Sequence, residues 1–361
     1  MTGGPGLRPG RRALATHGAR CVLAIGTVVV LAVPRLASAQ ATEELAPLFR
    51  SDTALAVTIR TEFRALLADR DTTRSIWREA ELVLAGAGPG GGPLTVSLRV
   101  RTRGNFRLAH CTFPPVRLRF AERDVRGTPF DALGRPKLVF PCHEGRLEEQ
   151  YILHEYALYR LYQLFTPVAL RARLLRVTWE DAGGRVRPVT RWAFVTEDPE
   201  RLARRLGGTL DVESGVRLGR LARTETLTMS LFQYLIANTD WSVRGLHNIV
   251  LVRTDTLYPV PFDFDWSGVI NARYAVPSKL LHIQTVRDRQ YRGLCQPAGA
   301  LVPVLARFEA LRDSIAAVYR AVPGLEPREV AQALRFFDDF YLEAADRTRF
   351  ERQVVAPDCM W

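Results

Sequence analysis

Residues 231–252 read LFQYLIANTDWSVRGLHNIVLV, and residues 259–268 read PVPFDFDWSG. Both stretches set polar groups inside oily chain. In the first, Asn238, Asp240, His247 and Asn248 separate an apolar helix-like segment from an apolar strand-like one. A loop of that make-up can hold a proton acceptor beside a metal or phosphate ligand, or it can be an ordinary helix exit. In the second, Asp263 and Asp265 alternate with Phe262, Phe264 and Trp266. Two carboxylates on one side of an extended segment are costly among aromatics unless a divalent cation or an arginine neutralises them. Hard oxygen donors favour magnesium or manganese over zinc.

Upstream, residues 54–196 are mostly strand-like. LTVSLRVRTRG alternates cleanly, with Leu94, Val96, Leu98 and Val100 on one face and Thr95, Ser97, Arg99 and Arg101 on the other. VRLRF (116–120), KLVF (137–140), LLRVTW (174–179) and RWAFV (191–195) follow the same habit, and DAGG (181–184) predicts a hairpin between the last two. The glycine run AGAGPGGGP (85–93) reads as a hairpin connection. One helix is expected at 146–165, where Tyr151, Leu158, Tyr162 and Phe165 share a face that also carries Glu155. A carboxylate on an apolar face needs a cation opposite it. Lys137, at the head of an apolar strand, is one candidate, and an ordinary strand-edge lysine is the other reading.

Beyond Glu197-Asp198-Pro199 the texture turns helical: EDPERLARRLGG (197–208) has a proline near its first turn and ends on glycines, helices are expected to follow at about 224–237, 299–320 and 327–353, and two short strands at 248–253 and 257–262. The chain therefore divides into a leader (1–39), a strand-rich part with one helix (40–196) and a helical part carrying the polar loops (197–361).

The leader has the form of a secretion signal. Arg8, Arg11, Arg12 and Arg20 precede CVLAIGTVVVLAV, and Ala37-Ser38-Ala39 offers small residues for cleavage. An apolar core this short falls below the roughly 20 residues of a membrane span. A secreted or periplasmic chain with no membrane span after cleavage is the expectation. Cys111, Cys142, Cys295 and Cys359 would then form disulfides, paired 111 with 142 and 295 with 359 because each pair falls within one half of the chain. The formal net charge is +12, partly from the leader arginines. No basic block interleaves with aromatics, so nucleic acid is not expected as a partner. At 47% hydrophobic and 24% charged, the chain has the make-up of a folded protein and excludes extensive disorder.

Neither HEGRL nor HEYAL completes a zinc-binding helix pattern, and there is no GxSxG elbow. A metal-binding DxD in a sugar-nucleotide glycosyltransferase fits DFD alone, but not the order of strands and helices.

Taken together, NTDWSVRGLHN and PVPFDFDWSG, preceded by RGNFR, PKLVF and YILHEYALYRLYQLF, resemble the CotH-type and HipA-type atypical kinases across residues 94–275. The resemblance implies an α+β, two-lobed protein-kinase-like fold with a strand-rich N-terminal lobe and a helix-rich C-terminal lobe. It implies ATP with magnesium (or manganese) as cofactors and a protein or small-molecule acceptor. Asp240 would be the catalytic base, with Asn248 and Asp263 as magnesium ligands and Asp265 as a second acidic one. Lys137 would bind phosphate and Glu155 would hold it, and FVTED (194–198), with Glu197, would line the nucleotide. VRTRGNFR (100–107), with Arg101, Arg103, Asn105 and Arg107, ends a clean strand and either bends over a phosphate or simply turns. Asp240 and Asn248 lie eight residues apart where such kinases place them five apart, so the asparagine has to return from a longer excursion. The alternative on the same fold is a non-catalytic, disulfide-stabilised binding protein.

Overall fold

Alternation of apolar and polar residues along seven consecutive strand segments lets one face of each turn inward, and in the computed structural model those faces close into a barrel. The structure describes Met1 and residues 44–359, apart from 72, 75, 213–215 and 298. The expected leader lies outside the described residues. Everything below concerns the unit Gln40–Trp361.

The strands are β1 (Leu55–Thr61), β2 (Arg78–Leu84), β3 (Leu94–Thr102), β4 (Val116–Phe120), β5 (Lys137–Val139), β6 (Ala172–Asp181) and β7 (Val189–Thr196). Around the barrel their order is β1-β2-β3-β4-β5-β7-β6, and a parallel pairing of β6 with β1 closes it. Every other pairing is antiparallel. Val96, Leu98, Val100, Leu118, Leu138, Leu175, Val177, Trp179 and Val195 fill the interior. The glycine run joins β2 to β3 as a hairpin connection, and the DAGG turn joins β6 to β7, where the Gly184 N–H donates to Asp181 O.

The strand-rich part contains more helix than the sequence pattern announces. Besides the long helix there are α1 (Phe63–Ala68), α2 (Phe106–His110) and α3 (Glu122–Val125), each too short to develop a periodic apolar face. The long helix, α4 (Arg146–Phe165), has the bounds expected of it. It is buried on most of its surface, with Val139, Phe194 and Leu174 from the outer faces of β5, β7 and β6 in the same apolar cluster.

That cluster continues into α5 (Pro199–Arg205), α6 (Arg223–Leu235), α7 (Val302–Ala310), α8 (Arg312–Ala321) and α9 (Pro327–Ala344). A second sheet runs β10-β9-β8, with β8 (Thr209–Asp211), β9 (Ile249–Arg253) and β10 (Leu257–Pro261) antiparallel. The single helix expected at 299–320 is two helices meeting at Leu311, with no glycine or proline to mark the break. The one expected at 327–353 stops at Ala344, because Asp346 accepts the Arg349 N–H and starts a new turn. Disulfides join Cys111 to Cys142 and Cys295 to Cys359, as expected. Among the described residues no helix is long and apolar enough to cross a membrane.

Candidate functional site

The β9–β10 hairpin builds one half of the site. Its register pairs Ile249 with Pro261, and one step further out the Phe262 N–H donates to Asn248 O at 3.0 Å. Asn248 and Asp263 therefore emerge together at the open end of the hairpin. Both backbones are left-handed there, at φ 52° and 63°, and Ala237 and Leu246 nearby share that region. Left-handed non-glycine residues cluster where geometry is over-determined by surrounding bonds.

The excursion between Asp240 and Asn248 is a small closed loop. Ser242 and His247 exchange backbone hydrogen bonds of 2.9 and 3.0 Å, so Trp241–His247 turns back on itself and returns Asn248 to Asp240. The Asn248 amide donates to Asp240 Oδ2 at 2.9 Å and to its carbonyl at 2.8 Å, while His247 Nε2 lies 2.9 Å from Oδ1. Below, Asn238 Oδ1 accepts the Asp240 N–H at 3.0 Å and the Asn238 carbonyl accepts the Trp241 indole N–H. Arg292 donates to the carbonyls of Thr239 and Trp241. Asp240 is thus held from several directions while its side chain keeps 35% exposure, enough to meet a ligand.

The other half gathers charges from four separate stretches. Lys137 Nζ, on β5, lies 3.0 Å from Asp263 Oδ1. Burial works to raise the Asp263 pKa, but the charges of Lys137 and Arg103 prevail and hold it at about 2. Burial lowers that of Lys137, against the pull of Asp263. The Asp263 N–H donates to the Tyr159 hydroxyl at 3.0 Å, which fixes the acid to α4. Asp265 accepts from the Tyr274 hydroxyl at 3.1 Å, and Arg107 Nη1 lies 3.9 Å from the same oxygen, Oδ2. Burial and then the neighbouring Asp263 raise the Asp265 pKa to about 6. Arg107 is anchored by donating to Phe140 O at 2.6 Å, two residues before the Cys111–Cys142 bridge.

The segment carrying the two acids is not extended, as its alternation suggested. The strand ends at Pro261 and the left-handed Asp263 turns the chain, so the acids meet different cations.

Glu155 is fully buried on α4, and among the described residues neither of its oxygens has a hydrogen-bond partner. Burial first, then the Asp265 and Asp263 carboxylates, push its pKa up to about 8, so it carries a proton at neutral pH. Lys137 and Arg107 pull in the opposite direction, which puts them within electrostatic reach although neither forms an ion pair with it among the described residues.

The fold thus brings Lys137, Glu155, Asp263 and Asp265 together, with Arg103 acting on Asp263 electrostatically, and sets Asp240 and Asn248 beside them through the hairpin. Glu197 is engaged elsewhere. Its carboxylate receives Arg205 at 3.0 and 2.9 Å, and its N–H donates to Arg171 O. Among the described residues no three His, Cys, Asp or Glu side chains already stand as a metal-binding set.

Tyr159 and Tyr274 join the site without being named from the sequence, whereas Arg107 was named only as part of the VRTRGNFR turn. Tyr159 was accessible from sequence, one turn beyond Glu155. The inward aim of Arg107 depends on α2, and Tyr274 sits in irregular chain with no periodicity to read.

No family model matches the chain, and no curated protein matches it. Among solved structures, the Helicobacter pylori proinflammatory kinase CtkA is similar at 12% identity and a TM-score of 0.39, over 67% of this chain and 92% of that one.

Proposed function

We propose that this chain is a secreted, two-lobed, kinase-like phosphotransferase, with residues 40–196 as the strand-rich lobe and 197–361 as the helix-rich one. The observation that carries the reading is convergence: Lys137, Glu155, Asp240, Asn248 and Asp263, from four distant stretches, meet around one hairpin end.

In this reading Asp240 accepts the proton of an acceptor hydroxyl, and the bonds from Asn248 and His247 orient its carboxylate. Lys137 steadies the phosphates of ATP, with Glu155 as the second acid within its electrostatic reach. The donor set fits magnesium. Asp263 is an ionised carboxylate, and Asn248 commits its amide nitrogen to Asp240, which leaves the side-chain oxygen without a bond among the described residues. Among the described residues Asp265 engages only Oδ2. Magnesium, when bound, supplies the positive charge that offsets phosphate oxygens during transfer.

A second reading, binding without transfer, draws on the fact that both Asp240 oxygens already have partners. Calorimetry of the mature chain with ATP separates the two from a mere fold. Magnesium-dependent nucleotide binding is expected, weakened at least tenfold, or about 1.4 kcal/mol, by Asp263→Asn. Asp240→Ala spares binding and removes ATP turnover by about 10²–10⁴-fold, the usual worth of a general base. Absence of magnesium-dependent nucleotide binding rejects the enzyme reading; binding without any turnover in the wild type favours the second.

A further inference from the structure

The outer wall of β3 and β4 carries arginine at successive outward positions. Arg99 stands opposite Arg119 and Arg101 opposite Arg117, and Arg117 in turn stands opposite Lys137 on β5. Arg103 continues the β3 row, its N–H bonded to Pro115 O. Neighbouring strands lie about 4.8 Å apart and outward residues on one strand about 6.6 Å apart. Cations at that spacing repel one another unless an anion lies between them.

The nearby acids do not serve. Glu79 pairs with Arg99, Asp263 with Lys137 and Glu200 with Arg135. Asp198 faces Arg117, but its oxygens already accept the N–H groups of Arg135 and Glu200 at 2.8 and 3.1 Å. Among the described residues Arg101, Arg103 and Arg117 form no ion pair with any carboxylate. All three are half-buried, and among the described residues the buried Arg101 Nε has no hydrogen-bond partner. Arg101 is nonetheless positioned, its guanidinium 4.7 Å above the Trp77 ring. Burial, and then the charges of Arg103, Arg101 and Arg135 against the opposing Asp198, lower the Arg117 pKa. At its far end the wall opens into a cavity of about 1150 Å³, lined by Arg99, Arg119 and Arg135 and also by Glu122, Asp124 and Glu200.

We propose that Arg101, Arg103 and Arg117 form an anion-binding track that takes a chain of phosphate groups, running from Lys137 along the β3–β4 wall toward the cavity at Arg119. Guanidinium groups present paired N–H donors that match phosphate oxygens, and several in a row select a linear, multiply charged ligand over a single anion. The track deepens the phosphotransfer reading, from which it borrows Lys137 and Arg103, but it does not require transfer to occur.

The test uses inorganic tripolyphosphate with the mature chain, without nucleotide or magnesium. Calorimetry should show tripolyphosphate binding at least ten times tighter than orthophosphate, weakening as salt rises. Arg101→Gln with Arg117→Gln should weaken it at least tenfold while the thermal melt stays close to that of the wild type. The salt dependence of the wild type provides the same reading if the double variant folds poorly. Undetectable tripolyphosphate binding, equal affinity for orthophosphate, salt-independent binding, or unchanged binding by a folded double variant each overturns the track. Competition with ATP then identifies the source. Displacement of tripolyphosphate by ATP assigns the track to the nucleotide's own phosphates, and simultaneous binding assigns it to a separate phosphorylated ligand. Because the tripolyphosphate titration contains no nucleotide or magnesium and reads no turnover, absent ATP turnover with tripolyphosphate binding intact fails the transfer reading alone, and absent tripolyphosphate binding with turnover intact fails the track alone.

Discussion

Two stretches of the same barrel wall have opposite exteriors. Over β5, β7 and β6 the outward residues Val139, Phe194 and Leu174 are fully buried in the cluster that includes α4. Over β3 and β4 the outward residues are Arg99, Arg101, Arg117 and Arg119. The inward residues of both stretches belong to one apolar cluster. Strand alternation therefore fixes the barrel, and the second face of each strand records what covers it. Where a helix covers the wall the positions are oily; where the positions are arginine, the cover is charged or is solvent.

The contrast breaks most severely on the oily side. Phe194→Ala removes a fully buried ring packed near Tyr159 and Tyr156, and is expected to cost about 3–5 kcal/mol in chemical denaturation. A cost below about 1 kcal/mol would mean that α4 does not depend on this wall.

An intermediate effect lies where the two exteriors meet, at Glu155. Its folded pKa of about 8 stands above the ordinary 4.5. Its stabilising contribution is therefore complete below the ordinary value and lost as pH rises through about 8. Glu155→Gln has no proton to lose. The variant should melt within a degree or two of the wild type at about pH 5 and several degrees above it at about pH 9. Parallel pH profiles would contradict the buried, protonated acid.

The smallest effect belongs to the arginine wall. Arg117→Gln removes one of several crowded like charges and no ion pair, so stability should change by less than about 0.5 kcal/mol, with any change in the stabilising direction. A loss above about 1 kcal/mol would show that Arg117 packs structurally.

Much of this arrangement was legible in the chain. The alternation in LTVSLRVRTRG and VRLRF gave both barrel faces, and α4 matched its expected bounds because a long periodic helix is the strongest local signal. The cysteine pairing followed from the division of the chain into halves. The roles of Asp263 and Asp265 were less legible. Alternation with phenylalanines and a tryptophan implied a shared side, whereas the left-handed turn at Asp263 separates them. Such turns are set by tertiary bonds, here from Tyr159 and the hairpin end, and leave no mark in local composition. Tyr274 and Arg107 reach the acids through irregular chain and a five-residue helix, where periodicity has nothing to report.

The Ser242–His247 bridge sets the distance between Asp240 and Asn248 by closing its own neck, and Val243 just beyond it is buried in the core. Residues could be added or lost at the exposed Gly245 while the two polar groups stayed in register. The loop therefore gives the chain latitude to vary the length of this segment without giving up its geometry, and a search built on fixed spacing would pass over such a chain.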